Sequence, residues 1–240
     1  MTIKMIGSSS GSVALDAPAS TTGGANIEFK LPVADGSAGQ VLQTDGSGNL
    51  SWVTPAQPDY VKLQKVTSGG GSGGLTFDNL DVATYKYFDL VLSFVPETDN
   101  MHPYFRFRTG GASGSSITSA HYGWGYTKLY ESNQLQHKCQ DFENFIRLSD
   151  AIGNNTNDAE GMGISMRIHF ADSSDNGASA SLANFVTWGY CVKNYNDAIR
   201  NGHGSGQYHE NASTYPTGFE IYMESGAINA HTYTLYGMKR

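Results

Sequence analysis

The run Tyr87-Phe88-Asp89-Leu90-Val91-Leu92-Ser93-Phe94-Val95 is stopped by Pro96. Its aromatic and β-branched content, its length and its period of two predict a β-strand. The same texture recurs outward from it. Tyr104 to Thr109 alternates Tyr-Phe-Arg-Phe-Arg-Thr, and further strands are expected at Tyr122–Tyr130, Phe142–Leu148, Ile164–Phe170, Ala183–Val192, Phe219–Met223 and Thr232–Met238. Phe142–Leu148 also fits a helix, because Phe142, Phe145 and Ile146 stand at i, i+3 and i+4. Clusters of Gly, Asn, Asp and Ser separate the candidates. Residues 75–240 are therefore expected to form an all-β, jelly-roll-like sandwich of two antiparallel sheets. An immunoglobulin-like sandwich comes second, being usually nearer about 100 residues.

Composition agrees. The chain has 240 residues with 29 Gly, 14 Tyr, 11 Phe and 3 Trp, and 15% of it is charged, against roughly 25% in an ordinary domain. That excludes a coiled coil, and the aromatics exclude a wholly disordered chain. A net charge of −7 argues against nucleic acid as a partner and against a polybasic membrane anchor. No apolar run is long enough for membrane insertion as a helix. Met1–Ser10 lacks the apolar core of a signal peptide, so the chain is expected to be made and folded in a cytoplasm. Cys139 and Cys191 are expected to be free, buried thiols.

Residues 1–59 read differently. Only Lys4, Asp16, Glu28, Lys30, Asp35, Asp45 and Asp59 are charged, and short apolar clusters alternate with turns. Asp35-Gly36-Ser37 and Asp45-Gly46-Ser47 repeat the same turn signal. Such a segment buries too little apolar surface to fold alone. It is disordered, wraps on a partner, or shares a core with copies of itself. Ile27, Phe29, Leu31, Val41, Leu42, Leu50 and Trp52 are costly to leave in water, which favours the last two. Residues 60–74 are expected to be a linker: the alternating strand Tyr60–Val66, then the Gly/Ser run Ser68–Gly74.

Chemistry-bearing patterns are sparse. The histidines show no metal spacing; His203 and His209 share the segment Asn201–Glu210, read as a solvated loop with a conceivable His/Glu metal site. Gly204-Ser205-Gly206 lacks the strand–helix context of a nucleophile elbow. The glycine run at 69–74 lacks a phosphate loop's Lys-Ser/Thr, and Asp172–Gly177 lacks the spaced carboxylates of a calcium loop. No catalytic residue, metal or cofactor is assigned, and the chain is not expected to be an enzyme. The stronger signal is aromatic. Tyr122-Gly-Trp124-Gly-Tyr126 and Trp188-Gly-Tyr190 place rings two residues apart, on one face of a strand. That row packs into the core, stacks on sugar rings, or meets another subunit.

The segment Leu31-Pro-Val-Ala-Asp-Gly-Ser-Ala-Gly-Gln-Val-Leu-Gln-Thr-Asp-Gly-Ser-Gly-Asn-Leu-Ser-Trp52 resembles a sequence common in tail-fibre and other virion fibre proteins of tailed bacteriophages, notably marine and cyanobacterial ones. Val13–Ala19 looks like the same module. Tyr87–Leu92, Arg106–Gly111, Phe219–Gly226 and Leu235–Lys239 are similar to recurring phrases of small β-sandwich domains in phage structural proteins. The resemblance implies a homotrimeric virion protein whose residues 1–59 anchor it to the particle, on a tail adaptor or nozzle or on the capsid. Residues 75–240 would be a distal domain meeting a host-surface polysaccharide, with Tyr122, Trp124, Tyr126, Trp188 and Tyr190 as candidate contacts. The chain is short for a full tail fibre. A short tail fibre, or a capsid fibre or decoration protein without a receptor role, fits its length.

Overall fold

The structure, a computed structural model, describes residues 3–6, 9–15, 18–56, 58–67, 71, 73–129, 135–155, 160–171, 184–193, 199–208 and 215–239. The chain divides into two compact units, Met1–Gln57 and Pro58–Arg240. Both are all-β, with no α-helix among the described residues.

In the first unit, β1 (Ile3–Ile6) pairs with β2 (Ser12–Leu15), and β3 (Val41–Thr44) with β4 (Leu50–Val53). The second hairpin follows from its turn chemistry. Asp45 accepts hydrogen bonds from the Ser47 amide (2.7 Å), the Asn49 amide (3.1 Å) and Asn49 Nδ2 (2.6 Å). Those bonds hold the Asp45 carboxyl below its ordinary value. Gly46 and Gly48 supply the left-handed backbone of the turn, at φ 83° and 91°. Lys30 donates to the Gly48 carbonyl and accepts from Leu50, which ties the preceding segment to the hairpin.

The second unit holds β5 (Tyr60–Val66), β6 (Gly74–Phe77), β7 (Tyr85–Pro96), β8 (Pro103–Thr109), β9 (Ser115–Ser116), β10 (Tyr122–Leu129), β11 (Leu135–Glu143), β12 (Ile146–Arg147), β13 (Gly161–His169), β14 (Asn184–Lys193), β15 (Ile199–Tyr208), β16 (Gly218–Met223) and β17 (Ile228–Lys239). One sheet has eight strands in the order β11-β10-β15-β14-β13-β7-β17-β5. The other runs β12-β8-β16-β6, with β9 on β8. All pairings are antiparallel. The sheets pack face to face over Phe88, Leu90, Phe105, Phe107, Ile164, Phe219 and their neighbours, all buried.

Each expected strand from Tyr87 to Met238 except Phe142–Leu148 has a counterpart within a few residues; Tyr130 and Ala183 lie outside the described residues. Four readings are corrected. Phe142–Leu148 is neither a helix nor one strand: it is the end of β11, a turn and the two-residue strand β12. Against β10 the register slips between Tyr122 and Trp124, and Phe142 takes φ 61° there, as a bulge does. Tyr60–Val66 is no linker, because it pairs along β17 as an edge of the large sheet. Both cysteines are free but exposed. The supposed loop 201–210 is mostly strand β15, paired on both sides; of the remaining loop residues, His209, Asp172–Gly177 and most of the Gly/Ser run lie outside the described residues.

Strand β15 explains how bulky rings fit into one sheet. Gly204 lies between Tyr126 of β10 and Trp188 of β14, and Gly202 lies opposite Tyr190. A Cβ on Gly204 would come within 2.8 Å of Tyr126 and 2.7 Å of Trp188. On Gly202 it would meet the Tyr190 hydroxyl at 2.8 Å, and on Gly206 it would meet Ile146 at 2.8 Å. Three alternate positions therefore lack side chains so that their neighbours can lie across them. Gly204→Ala should cost about 1–3 kcal/mol by overpacking. Gly163, on β13, has open space where its Cβ would go, so Gly163→Ala should stay within about 0.5 kcal/mol of the parent. Thermal unfolding checks the pair: the Gly204 variant should melt lower by roughly 2–4 °C per kcal/mol lost, and equal melting of both variants would refute the account.

Candidate functional site

Tyr122, Trp124 and Tyr126 do share one face of β10, and Trp188 and Tyr190 extend the row across β14. That face is the inner one. The five residues are between 0% and 9% exposed, so no sugar ring can stack on them. The expected glycan contacts at these positions are corrected to core packing. Several polar tips are met inside the protein. Tyr122 Oη accepts from the Phe107 amide (3.1 Å) and donates to the Ile117 carbonyl (3.0 Å). Trp188 Nε1 donates to the Leu148 carbonyl (2.7 Å), and Tyr126 Oη donates to Asp150 Oδ1 (2.8 Å). Burial pushes the Tyr122 hydroxyl well above its ordinary pKa, and burial with the Asp150 charge does the same to Tyr126.

Asp150 gathers the charge at this end of the sheet. It accepts from Lys128 Nζ, which is buried, and from Lys138 Nζ at 2.9 Å; Arg200 stands 3.6 Å away. Burial alone would raise its pKa, but hydrogen bonds from Lys128, Lys138 and Tyr126 outweigh it and hold the carboxyl well below the usual range.

The glycines between the rings leave the outer face of the large sheet low. One row crosses it as Cys139, Gly125, Ser205, Thr187, Arg167, Asp89 and Tyr236. The next runs His137, Thr127, His203, Gly189, Ser165, Val91 and Thr234. This face carries a trough of about 920 Å³, lined from Tyr60 on one edge strand to His137, Lys138 and Cys139 on the other. Smaller hollows of about 540 and 480 Å³ share its floor residues. A flat sheet of eight strands would span roughly 34 Å, so a trough lined from both edges requires the strands to curl. Arg167 Nε and Nη2 each donate to Asp89 at 2.7 Å. Tyr60 stacks on Tyr236 with centroids 4.9 Å apart; burial and the nearby Asp89 charge raise the Tyr60 pKa. Sequence patterns do not reveal this site, because its residues are mostly polar or glycine and spread over seven strands. His203 faces it, and no cluster of three metal-ligating residues forms among the described residues.

The first unit has a different surface. Ile27, Phe29, Leu31, Val41, Leu42 and Trp52 are exposed, from 39% at Trp52 to 73% at Leu31, and Leu50 is half-buried. Leu42 pairs with Trp52, and Leu50 falls on the same face two residues away, while Val41 falls on the other. Trp52 is fixed by its Nε1–H, which donates to the Ala34 carbonyl at 2.9 Å, and its ring covers Gly36.

No family model matches the chain, and no curated protein or solved structure shows significant similarity to it. No described helix is long and apolar enough to cross a membrane.

Asp150→Asn would strand the Lys128 charge in the interior, a loss of about 3–5 kcal/mol at neutral pH. Because the Asp150 pKa is lowered by folding, its stabilisation is complete above the unfolded value of about 3.9 and fades as pH falls below it. Urea unfolding should therefore show the gap between parent and variant narrowing from pH 7 to pH 2. An unchanged gap would contradict this assignment.

Proposed function

We propose that the chain is a structural protein of a tailed-phage virion. It is a short homotrimeric tail fibre, held to other virion proteins by its N-terminal unit, with a distal β-sandwich that meets a host-surface glycan. One observation carries the reading: across residues 18–56 of the first unit no residue is buried, although the segment holds an ordered hairpin and many apolar side chains. Burying a large apolar side chain contributes about 1.5–3 kcal/mol. Leu31, Leu42 and Trp52 from each of three chains would together supply a shared core that one chain lacks. Weak individual glycan sites would gain strength from several copies on one particle.

The strand order supports a jelly-roll reading of the distal domain. With hairpins β10–β11 and β14–β15 and the short β9 set aside, eight strands remain. In chain order they run first, eighth, third, sixth in one sheet and second, seventh, fourth, fifth in the other. Two interleaved Greek keys would give this order. A second reading, a capsid fibre or decoration protein without a receptor role, is favoured by the burial of the aromatic row. Neither reading includes catalysis.

Analytical ultracentrifugation should find the full chain trimeric at micromolar concentration, and Leu31→Asp with Trp52→Ser should shift it toward monomer without lowering the melting of the second unit. A monomeric parent would defeat the trimer. Imaging particles labelled at the C-terminus separates tail from capsid.

A further inference from the structure

The trough on the outer face of the large sheet, at about 920 Å³, is larger than the two hollows that share its floor. Its shape and its chemistry both select an occupant. It is long and open, running across strands from Tyr60 to His137. A concave channel of that form suits an extended chain better than the flat face of a second copy. Its floor strands are paired on both sides, so they offer no free ladder to a peptide strand. What the floor does offer is hydroxyls: Thr127, Thr187, Ser165 and Ser205.

The charge at the centre of the floor is compensated, because Arg167 is engaged twice by Asp89. Lys138, at the far rim, shares Asp150 with the buried Lys128 and with Arg200. A polyanion laid along the floor would find no unpaired Arg at its centre and would meet the Asp89 carboxylate there. A hydroxyl-rich neutral ligand would find planar donors and acceptors already fixed in place, which lowers the cost of ordering on binding. At the rim, Tyr60 is 45% exposed while stacked on Tyr236, so one face of a held ring looks outward. Rigid aromatic faces give contact area at little entropic cost.

We infer that this trough binds a neutral polysaccharide laid across the strands, with a sugar ring on Tyr60 and hydroxyls on the Arg167–Asp89 pair, Thr187 and Ser205. The inference rests on the host-glycan reading above and gives it a site in place of the buried aromatic row.

Affinity electrophoresis of the full chain tests it, with dextran, mannan or galactan in the gel as neutral polymers and polygalacturonate or dextran sulfate as acidic ones. At least one neutral polymer should retard the chain, with little dependence on salt, and the acidic polymers should not. Thr187→Arg, which fills the floor, and Tyr60→Ala, which removes the platform, should each weaken retardation about tenfold or more. Unchanged melting and sedimentation of both variants would show that fold and assembly are intact. The inference is overturned if no neutral polymer retards the parent, if neutral binding survives both substitutions, or if only acidic polymers bind. It is also overturned if Thr187→Arg changes the oligomeric mass, which would make the trough a subunit contact. The receptor reading falls separately, if particles lacking residues 58–240 adsorb to their host as well as intact ones.

Discussion

The absence of side chains at three successive inward positions of β15, Gly202, Gly204 and Gly206, is the constraint on which the packing of the second unit depends. Trp188, Tyr126 and Tyr190 come from strands on both sides of it and lie across Gly202 and Gly204, while Ile146 of the facing sheet closes over Gly206. Interiors are packed to crystal-like density, so space taken by large rings must be released nearby. Here it is released on a single strand. The polar tips of those rings reach Leu148 and Asp150, and so the same packing fixes the position of the charged group that neutralises Lys128.

The two units meet the cost of ordering a chain in different ways. The second has two facing sheets and a contiguous core. The first has hydrogen-bonded turns and hairpins but leaves Ile27, Phe29, Leu31, Val41, Leu42 and Trp52 exposed. Turn chemistry can specify a local shape without supplying the burial that usually stabilises one. That imbalance is what a segment completed by other chains should show, and it is the physical ground of the proposal that assembly lies at the N-terminal end.

Much of this was legible in the residues. Strands such as Tyr85–Pro96 and Gly161–His169 declare themselves because alternate residues enter the core, as Leu90, Leu92 and Phe94 do. Strand β15 did not, because Ile199-Arg-Asn-Gly-His-Gly-Ser-Gly-Gln-Tyr carries its information in missing side chains, and glycine has low strand propensity when read alone. Strand β11 was equally silent: it is an edge strand, its sequence is mostly polar, and nearly all of it is exposed, so no alternation marks it. The alternation of rings in Tyr122–Tyr126 gave the shared face but not its direction. Which side is the core depends on where the second sheet lies, and that information sits in β8, β12 and β16. The trough was beyond reach for a related reason, since its residues come together only through the order of eight strands.

That order has a further consequence. Hairpins β10–β11 and β14–β15 leave the eight-strand framework and return to it, and they stand side by side at one edge of a single sheet. The order of the other eight strands is continuous without them, so they widen one wall of the sandwich while their inward rings help to fill it. Changes at their outward positions would alter the outer surface while leaving those rings in place. Variation in what the domain touches can thus accumulate on one face of two adjacent excursions of the chain, back to back with the residues that must stay constant for the protein to fold.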